Sequence, residues 1–125
     1  MSVAVIEEGA KKSNVLWLGL PSGLRLAWHV WHDGAIHLVT GGEEQSLPGL
    51  AEIAAGRGEI EVVLRSKDNG AELIRFTAVA EVVDQAAAPQ AVAALAKERL
   101  NARDAAGLTA RWAERSTVVR LVPRT

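Results

Sequence analysis

The sequence predicts a mainly β protein with short helices, built as a six-stranded antiparallel β-barrel. Three observations carry this expectation. Apolar runs alternate with tight-turn signals, Asp33-Gly34 and the "KDNG" of residues 67–70, which read as hairpins. The runs "EIEVVLRS" (59–66) and "AELIRFTAVAEVV" (71–83) repeat with the period of two expected of strands. Helical periodicity is confined to short segments, chiefly after Pro89. Consecutive hairpins with few crossovers imply antiparallel pairing, and six strands in 125 residues favour a barrel because closure removes exposed edges.

Each element follows in order. Residues 1–13 carry no clear pattern and are expected to be loose or to add an edge strand, ahead of one domain over 14–125. "NVLWLGL" (14–20) reads as a buried strand, with Trp17 in the core, closed by Pro21-Ser22-Gly23. "LRLAWHVWH" (24–32) turns at Asp33-Gly34 into "AIHLVT" (35–40), which Gly41-Gly42 ends. In "SLPGLAEIAAG", Ser46 is the candidate N-cap of a short helix that Gly56 or Gly58 ends. Ile60, Val62 and Leu64 share one face of the next strand; Ile74, Phe76, Ala78, Ala80 and Val82 share a face of its partner. Val92, Leu95, Ala96 and Leu100 form a helical stripe, and Leu108 with Trp112 marks a second short helix. "STVVRLVP" (116–123) is the closing strand.

Composition excludes several classes. The chain has no cysteine, so disulfides, thiolate zinc sites and cysteine nucleophiles are absent together. Net charge is −1 and the fourteen Lys and Arg residues are scattered, which gives no nucleic-acid surface. "MSVAVIEEGAKKSN" has neither a basic start nor a long apolar run, so no membrane segment is expected and the location expected is cytoplasmic. No G-x-S-x-G, H-E-x-x-H, Walker or Rossmann pattern occurs.

Residues 28–50 hold all three histidines and two of the four tryptophans. With Asp33-Gly34 as a two-residue turn, His32 pairs with Ala35, Val30 with His37, and Trp28 with Val39. His32 and His37 then meet as a diagonal pair, while His29 points the other way with Trp31. Only two imidazoles converge and no third ligand stands at a telling spacing, so no metal site is expected. Tryptophans on both faces suggest that the hairpin is covered by a ligand or a second subunit.

The "W…V-W" run, the D-G turn, the "LVTGG" strand end, the short helix, two long strands and the closing "VVRLVP" resemble the split-barrel, FMN-binding superfamily of pyridoxamine-phosphate-oxidase-like proteins. The variant "TGGEEQSLPGL" with "RLNARD" and "RWAERSTVVRLVP" resembles a small actinobacterial branch of it. The resemblance covers roughly residues 14–123 and implies a homodimer with FMN or a deazaflavin in a groove between the barrels. It implies that Thr40, Gly41, Gly42, Gln45 and Ser46 hold the phosphate, and that the ring lies beside His29, Val30 and Trp31.

One departure from the family pattern concerns the phosphate. Relatives place a lysine or arginine in this loop, whereas this chain has Glu43 and Glu44, and two carboxylates repel a phosphate unless they point away. Arg25, Arg57, Arg65 and Lys67 are the candidate counter-charges. The arginine–histidine pair of true pyridoxamine-phosphate oxidases has no match, so that reaction is not expected. The resemblance thus implies a flavin- or deazaflavin-dependent oxidoreductase, whose hydride chemistry belongs to the cofactor. The alternatives are a non-catalytic binding dimer, including a haem store using His29, His32 or His37, and a structural dimer without a phosphate site. On the oxidoreductase reading, Ser46→Asp or Gly42→Glu abolishes binding while leaving the barrel folded.

Overall fold

In the computed structural model, residues 2–13, 15–65, 72–99 and 105–124 are described. The element order is α1 (Val3–Lys11), β1 (Val15–Leu20), β2 (Gly23–Trp28), β3 (Val30–His32), β4 (Ala35–Thr40), α2 (Leu50–Ala55), β5 (Glu59–Arg65), β6 (Glu72–Val82), α3 (Pro89–Glu98), α4 (Ala105–Arg115) and β7 (Thr117–Pro123). The strands form one antiparallel sheet in the order β2-β1-β5-β6-β7-β4-β3, curled into a half-barrel. The mainly β architecture with short helices is therefore the one expected. The turn expected at 67–70 and the stripe residue Leu100 lie outside the described residues.

The strand count is seven rather than six, and the reason is topological. The run 24–32 is not one strand. It breaks at His29 into β2 and β3, which form the two opposite edges of the sheet. The chain crosses the barrel's seam at that residue. Trp28 and Val39, expected as a backbone pair, are bridged instead by a side chain. The Gln45 Oε1 accepts from the Trp28 N–H at 3.1 Å, and its Nε2 donates to the Trp28 and Val39 carbonyls, each at 3.1 Å. An amide side chain supplies both donor and acceptor, so it can replace one rung of a ladder. The rest of the hairpin keeps the expected register, Val30↔His37 and His32↔Ala35.

The N-terminal residues differ from the expectation of a loose segment or edge strand. They form α1, capped by the Ser2 hydroxyl accepting from the Val5 N–H at 3.3 Å. Ion pairs Glu7–Lys11 at 2.6 Å and Glu8–Lys12 at 2.8 Å sit at i,i+4 spacing on its outer side. Ile6 and Ala10 point inward and are buried in the barrel core. A Cβ at Gly9 would stand 3.0 Å from Ile74 Cδ1, so glycine lets the helix seat closely on the sheet.

Two cores result from strand alternation. Inside the half-barrel, Leu16, Leu18, Ile36, Leu38, Val62, Leu64, Ala78 and Leu121 pack with α1 and α2. Outside it, Val39 and Val118 pack against Val92 and Leu95 of α3 and Leu108 and Trp112 of α4. β4 lies between the two cores, which is why all six of its residues are buried. Trp17 departs from its expected place. β1 alternates half-buried and buried, and Trp17 lies on the outer side, opposite Leu26, with the Arg65 guanidinium 5.8 Å from its ring centroid. The fully buried tryptophan is Trp112, at 1% exposure.

Candidate functional site

The loop from Thr40 to Gly49 is folded by its own polar groups. The Thr40 hydroxyl donates to the Gln45 carbonyl at 2.9 Å and accepts from the Leu47 N–H at 3.2 Å. The Gly41 N–H donates to the same Gln45 carbonyl, and the Glu44 N–H donates to the Gly41 carbonyl. Gly41, Gly42 and Gly49 all have positive φ, a conformation that side chains resist. Ser46 does not cap α2. That helix begins four residues later at Leu50, after Gly49 in the left-handed region, and has no side-chain cap. The loop borders a cleft of ≈ 390 Å³ lined by Thr40, Gly41, Gly42, Glu44, Ser46 and Glu52, among others. Among the described residues, the N–H groups of Gly42 and Ser46 have no acceptor in the protein.

The two loop carboxylates do not stand bare. Glu44 has a side chain only 4% exposed, and it takes the Arg99 guanidinium two-pronged, at 2.9 and 3.5 Å. Glu43 is exposed and pairs with Arg115 at 3.1 Å and Arg111 at 3.9 Å. The counter-charges therefore come from the end of α3 and from α4. Arg25, Arg57 and Arg65 do not line the cleft, and Lys67 lies outside the described residues. Sequence reading missed this because Arg99 is 55 positions from Glu44, with no periodicity connecting them.

His29, Val30 and Trp31 line a different pocket of ≈ 290 Å³, together with Ser13, Lys11 and Glu98. His29 is 4% exposed, and its Nε2–H donates to the Ala10 carbonyl at 3.2 Å, at the end of α1. A carbonyl only accepts, so the proton sits on Nε2 and Nδ1 carries the lone pair. That Nδ1 is buried without a partner. Burial pushes the His29 pKa down to about 4 against the Ala10 hydrogen bond, so the ring is neutral at pH 7.

Seven of the eight candidate residues thus fall into two groups. Thr40, Gly41, Gly42 and Ser46 share the first cleft, while His29, Val30 and Trp31 share the second. Gln45 lines neither; its amide is spent on the barrel seam between them. The two pockets share no lining residue; Glu98 lines the second, and its sequence neighbour Arg99 holds Glu44 of the first. His32 and His37 do approach, edge to face at 5.6 Å between centroids. Among the described residues no three His, Asp or Glu side chains are grouped to hold a metal ion.

This architecture recurs in solved structures. HutZ, the heme storage protein from Vibrio cholerae, matches at 16% identity and a TM-score of 0.64 over 100% of this chain and 92% of that one. A protein assigned as a pyridoxamine 5′-phosphate oxidase from Listeria innocua matches at 17% identity and 0.61, over 98% and 94%. An F420 reductase matches at 10% identity and 0.61, over 95% and 93%. The chain has the split-barrel fold of the pyridoxamine-phosphate-oxidase-like proteins. At these identities the likeness is one of fold. No protein-family model and no curated protein sequence matches the chain.

Within this split barrel, two substitutions separate loop packing from loop chemistry. A Cβ at Gly42 would lie 3.0 Å from both the Arg115 carbonyl and the Ser116 hydroxyl, at a φ of 63°. Gly42→Glu therefore strains the loop against the α4–β7 junction and is not the clean binding mutant that the sequence suggested. Arg99→Ala leaves the buried Glu44 carboxylate unpaired. Discounted for the partial exposure of Arg99, it should cost about 2–3 kcal/mol in urea unfolding, and Glu44→Gln in the same chain should restore part of that. Equal stability of Arg99→Ala and wild type would show that the pair carries no weight.

Proposed function

We propose that this chain binds a flavin- or deazaflavin-type cofactor in a groove completed by a second copy of itself, as an oxidoreductase-like split-barrel protein. The observation that carries this reading is the neutralisation of Glu43 and Glu44. With Arg99, Arg111 and Arg115 holding both carboxylates, the loop cleft no longer opposes an anionic group with two bare charges. The anionic end would meet the free N–H groups of Gly42 and Ser46 and the Ser46 hydroxyl, with Thr40 and Gly41 shaping the wall. No Lys or Arg side chain is among those that line the cleft, and Glu52 does line it, so the fit favours few negative charges. The ring would lie beside Val30 and Trp31, with neutral His29 behind them. A cofactor of this kind would supply the hydride chemistry, while the protein's part is to orient it and exclude water. The F420 reductase among the fold neighbours supports the deazaflavin form, and HutZ supports a small-molecule-holding role without turnover.

The test is a fluorescence titration of the purified chain with FMN and with a deazaflavin, alongside Ser46→Asp. Ser46 is exposed, so the variant should fold as wild type. Micromolar binding of one cofactor, lost in Ser46→Asp, is the expected result. No binding of either sinks this reading and leaves the non-catalytic dimer without a phosphate site. Binding unaffected by Ser46→Asp would move the anionic end elsewhere.

A further inference from the structure

A third pocket, of ≈ 200 Å³, lies between the β3–β4 hairpin and the start of α3, away from both clefts above. Its lining includes His32, Asp33, His37, Gln90, Ala91 and Arg120. α3 is ten residues long and starts with Pro89; its N-cap is Ala88, with no side-chain cap and no acidic residue in the first turn. The first helical acceptor bond runs from the Val92 N–H to the Ala88 carbonyl. The Gln90 and Ala91 N–H groups therefore have no intrahelical acceptor, although Ala91 is only 4% exposed. A buried position such as Ala91 needs a partner for its amide, whereas Gln90 is exposed.

A second observation is independent of the helix end. His37, on β4, lines the same pocket, is 4% exposed, and has a buried Nδ1 without a hydrogen-bond partner. Arg120, from β7, adds a guanidinium. Its Nε and Nη2 bond Glu81 at 2.8 and 2.7 Å, which leaves the remaining nitrogen available. The lining also includes the His32 ring and Asp33, which is exposed at the tip of the hairpin; Gln90 and Ala91 from α3 bring no charge.

We propose that this pocket binds a compact oxyanion, a single phosphate or carboxylate group, held by the Gln90 and Ala91 amides, the His37 imidazole and Arg120. Helix N-termini bind anions through free N–H groups and the positive end of the dipole. The volume suits one such group and is too small for a flavin, so this site is separate from the cofactor groove. Asp33 at the mouth penalises a dianion, so a singly charged form is preferred. Burial pushes the His37 pKa down to about 4 against a backbone contact with Ala35; nearby His32 and Arg120 lower it further, and Asp33 raises it. A bound anion favours the charged imidazolium and raises that value, which links binding to proton uptake.

The experiment is a ¹H–¹⁵N NMR titration of the whole chain with inorganic phosphate, and separately with acetate, in a buffer that holds neither. The expected result is saturable shifts of the Ala91 and Gln90 amides and the His37 ring, with the His37 midpoint raised by about one unit. The deciding variant is Ala88→Asp. Its carboxylate would cap α3 and compete for the same amides, so it should weaken the response about tenfold while raising thermal stability. Arg120→Gln should weaken it as well. Silence at Ala91 and His37 with both anions overturns the proposal, as does an Ala88→Asp protein that responds like wild type. The readouts are remote from Ser46 and Trp31, so failure here is distinguishable from failure of the cofactor reading.

Discussion

Truncating Trp112 to alanine is expected to lower stability by about 3–5 kcal/mol, the usual cost of emptying a buried aromatic position. For a domain of this size that is a fall in Tm of roughly 12–20 °C. Trp112 is 1% exposed and fills the outer core among Val39, Val92, Leu95, Leu108 and Val118. No small shift of α4 can close such a gap, because β4 and β7 on the far side are fixed in the sheet. Trp112→Phe should cost clearly less, since the indole Nε1–H is buried without an acceptor and its removal relieves an unsatisfied donor. Trp17→Ala is the contrasting control. Trp17 is half-buried on the outer face, and its loss should cost about 1 kcal/mol. Thermal unfolding of the three variants checks this ordering, and an alanine at 112 as mild as one at 17 would contradict the two-core description. On the proposed cofactor reading, a functional consequence is also expected: α4 carries Arg111 and Arg115, which pair with Glu43, so loosening α4 should weaken binding of the proposed cofactor more than a purely remote core mutation of equal cost.

What the sequence made legible, and what it did not, divides along one physical line. Local signals held wherever a neighbour in sequence was also the partner in space. The Asp33-Gly34 turn fixed the register of β3 on β4, and with it the approach of His32 to His37. The alternation of Ile60, Val62 and Leu64 correctly gave their buried face. Pro89 did open α3, and Leu108 with Trp112 did mark α4. The failures arose where one residue's role depended on distant chain. Nothing local distinguishes His29 from its neighbours. It falls between β2 and β3, where the chain passes from one edge of the sheet to the other. Gln45 is a phosphate residue only by the family resemblance; in the fold its amide bonds the Trp28 and Val39 backbone, a role no local pattern announces. Trp17 reads as core because it is large and flanked by leucines, yet the period of two puts Leu16 and Leu18 inside and Trp17 outside. Glu43 and Glu44 read as an obstacle to phosphate until the arginines of α3 and α4 are brought beside them. The cleft geometry was legible in outline through the glycine pair; its electrostatics were not, because charge pairing across 55 or 72 residues leaves no periodic trace.

The protein should lose stability steeply on mild acidification, and the two buried histidines set the window. In the unfolded chain His29 and His37 titrate near 6.5, and in the folded protein burial pushes both to about 4. The folded state therefore resists a proton that the unfolded state accepts. A group with a depressed histidine pKa contributes nothing adverse above 6.5; it costs stability as pH falls from there towards 4, and the loss is complete below the folded value. The limiting slope is about 1.4 kcal/mol per pH unit for each histidine, so the pair together would remove up to several kcal/mol across this window. Urea midpoints at pH 7.5, 6, 5 and 4.5, in a buffer free of phosphate and acetate, measure it. His29→Gln and His37→Gln should each remove about half of the slope, and a flat profile between 7 and 5 would mean that the rings are charged or open to water. The His29 half has a structural correlate. Its Nε2–H holds the end of α1 through the Ala10 carbonyl, but protonation places a second N–H on a buried Nδ1 that has no acceptor. That unsatisfied buried donor, not a loss of the Ala10 contact, is the cost that protonation of His29 adds. The His37 half should respond to anions. If phosphate occupies the pocket at the head of α3, it supplies the missing negative partner, and the loss attributable to His37 alone should shrink in phosphate while that of His29 stays unchanged.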